Sequence, residues 1–236
     1  MRPASPLMFA FLGVLAVGAA AEFWINKDYT EWNKEETVEI LTDSPWAHTA
    51  EVVGPPSAGG AIRSAGDEDS VGGYRDALGG PRGRASGGRG GGGGKMRFQM
   101  RWASALPVRQ AMARYRFGDE VATSERAQQS IRSTPGRYVL EIAPVPSALI
   151  GDTERLKRIT SLKIKGHKPI PPVEVQAREV QSGRMQVYLF FPKAAEGGCD
   201  ITPEDKNVEI ELKFDKANCS RKFRLKDMIY HGKLEI

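Results

Sequence analysis

Apolar and polar residues alternate with a period of two through most of the carboxyl-terminal half of the chain. Val208, Ile210, Leu212 and Phe214 share one side, and Glu209, Glu211 and Lys213 the other; this pattern predicts a half-buried strand. Met185, Val187, Leu189 and Phe191 form one face and Tyr188 and Phe190 the opposite one, which predicts a strand central to its sheet. Tyr138-Leu140-Ile142, Leu162-Ile164 and Val173-Val175-Ala177 repeat the period, and residues 223–225 and 233–236 add two short segments. Nearer the amino terminus, Thr49 to Val53 reads as a first strand, and Phe98, Met100 and Trp102 line one face of another.

The period of 3.6 is confined to fewer places. Asn33, with Glu36 three residues on, forms a capping-box pattern ahead of Val38, Ile40 and Leu41, and Asp43-Ser44-Pro45 stops the helix. Pro107 suits a first turn, and Val108, Ala111, Met112 and Tyr115 follow at i, i+3, i+4 and i+7. A more polar helix is predicted over 119–131 and a short one over 153–159. Strands follow one another across turn signals, without alternating strand–helix units. The predicted class is therefore α+β and β-dominated: a mainly antiparallel sheet or sandwich with two or three helices.

Two segments stand apart from this pattern. Residues 1–21 carry Arg2, an apolar run from Leu7 to Val17, and Ala19-Ala20-Ala21 before Glu22. A basic start, a short apolar run and a small-residue end predict a cleaved secretory signal. The run falls short of the ~20 apolar residues of a spanning helix, and no second long apolar run follows. A secreted or periplasmic location is the expectation, with no transmembrane segment in the mature chain. Residues 54–95 hold sixteen of the twenty-six glycines and few large apolar side chains, a composition that predicts a disordered insert. Residues 22–53 and 96–236 then make one domain with one core.

The net charge of +5 falls to +4 without the leader, and half of that excess belongs to the insert. Nothing in this balance calls for a nucleic acid partner. Export and an even cysteine count allow a structural disulfide between Cys199 and Cys219. Such a bridge closes a loop of about 20 residues and contributes ~3 kcal/mol.

Local motifs for chemistry are missing. His48, His167 and His231 lie far apart in sequence with no paired-ligand spacing, so each is read as solvated or locally bonded, and neither metal nor cofactor is predicted. No nucleophile elbow, zincin helix or phosphate loop is present, and no catalytic residue is assigned. Asp200, Glu204 and Asp205 cluster near Cys199. They read as an acid–base pair or, more simply, as a turn before the strand at 208.

Two stretches are tightly specified: Ser44-Pro45-Trp46, and Arg101-Trp102-Ala103-Ser104-Ala105-Leu106-Pro107-Val108-Arg109-Gln110-Ala111. In them Trp46, Arg101, Trp102 and Arg109 are either core anchors or an interaction patch. With residues 225–234, these stretches resemble a group of exported bacterial proteins without an assigned activity. The resemblance implies export and a single domain, and it transfers no catalytic residue. The glycine-rich insert departs from that group. The function expected is a non-enzymatic binding or structural module of the cell envelope, with an envelope protein or a glycan as partner. The alternative is an exported, hydrolase-like enzyme whose site is assembled from dispersed residues.

Overall fold

Two antiparallel sheets face each other across a shared apolar layer in the computed structural model, which describes residues 22–53, 95–214 and 217–236. The segment at 1–21 predicted to be a secretory leader and, apart from Lys95, the insert predicted to be disordered lie outside the described residues.

The larger sheet is built from β1 (Ala47–Val53), β2 (Lys95–Trp102), β3 (Tyr138–Pro146), β5 (Glu174–Gln181) and β6 (Arg184–Phe191), in the order β1-β2-β3-β6-β5. The smaller sheet has β7 (Asn207–Phe214) between β4 (Thr160–Ile164) and β8 (Ala217–Arg224). β9 (Ile229–Tyr230) and β10 (Lys233–Leu234) form a short hairpin. Every pairing among the described strands is antiparallel. The α+β, β-dominated class read from the pattern is the class observed. β6 lies inside its sheet, as its two apolar faces imply.

Helices are more numerous than the pattern suggests. Six helical segments are described: α1 (Phe23–Asn26), α2 (Lys34–Thr42), α3 (Leu106–Phe117), α4 (Glu125–Arg132), α5 (Ser147–Ile150) and α6 (Thr153–Ile159). α2 begins with the capping box: the Glu36 amide donates to the Asn33 side chain, and the Glu36 carboxylate accepts the Asn33 amide, both at 2.8 Å. The single helix expected over 119–131 divides into a 3-10 turn at Gly118–Ala122 and α4. Ser124 starts a new helix there by accepting the Ala127 amide, a capping preference that an apolar stripe alone does not reveal.

Phe98, Met100 and Trp102 of β2, Leu140 and Ile142 of β3, and Leu189 and Phe191 of β6 form the inner face of the larger sheet. They meet Leu162, Val208, Ile210 and Phe223 of the smaller one. Trp102 lies edge-on to Phe223 at 5.6 Å. At one end Trp46 is fully buried beside Trp24 and Tyr230, and its indole N–H donates to the Glu235 carbonyl at 2.9 Å.

The outer face of the larger sheet carries a buried ion pair. Arg101 of β2 grips Glu141 of β3 through two hydrogen bonds, Nε to Oε2 at 2.8 Å and Nη2 to Oε1 at 2.5 Å. Both side chains are 2% exposed. The Gln186 amide of β6 donates to the same carboxylate, Arg178 of β5 donates to Gln186, and Arg101 Nη1 reaches the Leu41 carbonyl at the end of α2. Glu141→Gln leaves the buried guanidinium without its counter-charge and is expected to cost about 3–5 kcal/mol in urea unfolding. The double change Arg101→Met with Glu141→Leu removes both charges and should retain most of the stability.

Candidate functional site

The chain crosses between the sheets twice at one end of the sandwich, from β4 to β5 and from β6 to β7, and the two crossings form a cleft. The first crossing turns tightly after β4. The His167 amide donates to the Ile164 carbonyl at 3.1 Å, with Gly166 at φ 86°, a conformation that glycine adopts without steric cost. Ile170 then bonds back to Leu162 through both its backbone groups, so His167 is presented on a closed loop.

The second crossing holds Cys199. The Gly198 amide donates to the Lys193 carbonyl at 3.0 Å, and Gly198 packs against the turn's own start. A Cβ at Gly198 would stand 1.9 Å from the Pro192 carbonyl oxygen, so only glycine fits. Beyond it, the Asp200 side chain accepts the Ala194 amide, and the Ile201 amide donates to the Tyr138 hydroxyl at 2.8 Å. Thr202 and Asp205 close a second turn, in which Asp205 Oδ2 accepts the Thr202 amide at 2.8 Å. The carboxylates at 200 and 205 therefore both take part in turns, and Asp205 Oδ1 points to the first crossing.

The cleft has a volume of about 350 Å3. Pro171, Val173 and Pro192 supply apolar walls, and His167, Glu196 and Cys199 supply polar groups. Val173 is 43% exposed and is one of two large apolar side chains that stand out to solvent among the described residues. Cys199 Sγ lies 3.4 Å from His167 Nδ1, and His167 Nε2 lies 4.0 Å from Asp205 Oδ1. Glu196 is occupied by Arg137, which also binds Glu174. Burial pushes the Cys199 thiol up, and the Asp205 and Asp200 carboxylates push it the same way.

The expected disulfide is not formed. Cys199 and Cys219 are both free and are not near each other. Cys219 lies within β8 opposite Leu212, with its side chain in the apolar layer, whereas Cys199 is on the β6–β7 crossing. Burial pushes the Cys219 thiol up to about 11.

The four residues singled out as anchors or patch lie elsewhere. Trp46 and Trp102 are fully buried, and Arg101 is held by Glu141. Arg109 donates to the carbonyls of Ile131 and Ser133 and so joins α3 to the end of α4. None of the four lines the cleft. The Cys199–His167 contact was not legible in the sequence: 32 residues separate the partners, and each sits in a turn whose local signal is only a turn. Among the described residues no group of three or more His, Cys, Asp or Glu side chains is placed to hold a metal ion. Comparison with family models, with curated proteins and with solved structures finds no match.

The other two histidines are tied to aromatic neighbours. His231 packs on Tyr230, and His48 lies over Phe223 with ring centroids 5.1 Å apart. Burial, then Arg221, push His48 down to about 4 from an ordinary 6.5. Below pH 6.5 the unfolded chain takes up a proton that the folded chain refuses until about pH 4, so stability falls across that window. The loss amounts to at most about 3 kcal/mol. His48→Phe keeps the stacking and should flatten the melting temperature between pH 6.5 and 4, while leaving it unaltered above pH 7.

Gly198→Ala places a methyl group against backbone and is expected to destabilise the fold by ~1–3 kcal/mol in urea unfolding. Gly136→Ala, where a Cβ meets nothing within 4 Å, is the control and should be near neutral.

Proposed function

We propose that this chain is an exported protein of the cell envelope that works as a non-enzymatic binding module and takes its ligand in the cleft between the two crossings. The observation that carries this reading is the cleft itself, where an exposed apolar wall at Val173 meets a thiol and an imidazole in contact. Loops grouped at one end of a rigid sandwich are a common place for recognition. Export rests on the leader pattern at 1–21.

A hydrolase-like enzyme is the second reading, and the order Cys199–His167–Asp205 favours it, since thiol, imidazole and carboxylate in series can activate a nucleophile. That chemistry calls for a readily ionised thiol. Burial and the two carboxylates act in the opposite direction on Cys199, and binding therefore takes precedence.

The test is retention of components from a solubilised envelope fraction by immobilised protein. It compares wild type, Val173→Asp, and wild type blocked at Cys199 with N-ethylmaleimide. Wild type should retain a component that both altered forms lose, with all three melting at similar temperatures. Equal retention by all three, or recovery of the protein from cytosol with Met1 still attached, overturns the reading.

A further inference from the structure

We infer that β5 pairs antiparallel with β5 of a second copy of this chain, about a two-fold axis at Gln176. Glu174 of each copy then stands opposite Arg178 of the other. This interface goes beyond the cleft reading and does not depend on it. An open sheet edge, its bounded length and its self-complementary charge lead to the assignment.

The edge comes first. β5 pairs with β6 on one side and with no described strand on the other. The other margins of the two sheets are occupied. Ile170 bonds back to Leu162 along β4, and β1 and β8 lie against each other, with His48 over Phe223. An unpaired strand presents a row of backbone donors and acceptors that another strand can satisfy. α6 packs against β5 with Leu156 in the apolar layer, and Gln176 and Arg178 stay exposed.

Both ends of that edge are limited. Pro171 and Pro172 stand before β5, and proline has no amide to donate to a ladder. At the far end the register with β6 shifts between Glu179 and Gln181, an irregularity that bends a strand and interrupts regular pairing. A second strand therefore has Val173 to Glu179 to pair with. Within this window the faces are distinct. Val175 and Ala177 turn to the apolar layer, whereas Glu174, Gln176 and Arg178 share the face of the Arg101–Glu141 network. A two-fold axis normal to the sheet keeps each face continuous only when it passes through a residue, so that side chains of one face meet.

Charge then selects the axis. With the axis at Gln176, Glu174 meets Arg178 twice, Val175 meets Ala177 twice on the apolar side, and the two Gln176 amides meet each other. With the axis at Val175 or at Ala177, no acid meets a base. Opposite charges across a strand pair stabilise it, and like charges destabilise it. Within the chain Glu174, whose side chain is 44% exposed, accepts from Arg137 and Gln176, and Arg178 donates Nε to Gln186. These contacts hold both side chains on the outer face, and the Arg178 guanidinium carries further N–H groups beyond Nε. So short an edge falls below the about 1,200–2,000 Å2 that a stable complex buries, so the dimer is weak and forms as concentration rises.

The experiment is sedimentation velocity of the reduced protein over a rising concentration series, where wild type should show a reversible monomer–dimer equilibrium. Glu174→Arg alone and Arg178→Glu alone each set like charges opposite one another twice. Each should raise the dimer dissociation constant about 10-fold. An equal mixture of these two variants restores both acid–base pairs and should dimerise as wild type does. Melting temperatures establish that each variant is folded. Under mild oxidation, Gln176→Cys in a Cys199→Ser background should link the two copies, because residues paired at the axis have Cβ atoms about 4.5–5.5 Å apart. Thr49→Cys on β1, in the same background, is the control and should link far more slowly. A wild type that stays monomeric at every concentration, folded single variants that dimerise as wild type does, or a mixture no stronger than either variant alone overturns the interface. If a monomeric wild type still retains an envelope component, the interface falls and the cleft reading stands.

Discussion

The buried grip of Arg101 on Glu141 is the constraint around which the larger sheet is organised. Two charges with side chains 2% exposed are tolerable only in close, doubly hydrogen-bonded contact. That contact requires β2 and β3 to pair with Arg101 opposite Glu141. A slip of β2 by one residue would turn Arg101 into the apolar layer, away from Glu141, and push Trp102 out of it. Gln186 and Arg178 carry the same polar chain across β6 and β5, so one carboxylate sets the alignment of four strands. The Leu41 carbonyl ties α2 to the guanidinium as well. Hydrophobic burial drives the sheets together, whereas this network selects one register among those burial allows.

The cleft is a consequence of that alignment. β6 ends at Phe191 in the core, and Pro192 starts the crossing that leads to Cys199. The first crossing arrives at β5, whose partner is also β6. Val173, the last residue before β5, donates its amide to the Phe190 carbonyl, one residue from the end of β6. The two loops are thus fixed to the same strand end, and the distance between His167 and Cys199 is set by the sheet. Gly198 adds the local condition, since its contact with the Pro192 carbonyl leaves no room for a side chain.

Much of this fold was legible in the pattern of residues, because half-buried strands record their own orientation. Val208 to Phe214 and Met185 to Phe191 alternate as they do because each faces a filled layer on one side. The capping box at Asn33 was readable for a similar reason: both of its hydrogen bonds are made within four residues. What escaped was long-range. The pairing of Arg101 with Glu141, 40 residues apart, cannot be told from two exposed charges on alternating strands until the register is known. The contact of His167 with Cys199 depends on two turns meeting in space, and neither turn carries a trace of the other. The split of the 119–131 segment was lost for a different reason, since a capping serine inside a polar stretch looks like any other polar residue.

The fates of the two cysteines show how placement decides chemistry. Cys219 occupies an inward position of β8, where an apolar thiol packs as a small hydrophobe and its proton is held firmly. Cys199 occupies a loop that no core residue covers completely, beside an imidazole and close to two carboxylates. A disulfide between them would need one thiol to leave the core or the other to leave its turn, and each move forfeits contacts that define the sandwich. With the bridge ruled out by the fold, the thiol at 199 stays available to something outside the chain. Burial and the two carboxylates that push the Cys199 thiol up argue against a readily ionised nucleophile at this cleft, and that separates the binding reading from the enzyme reading more sharply than the shape of the cleft does.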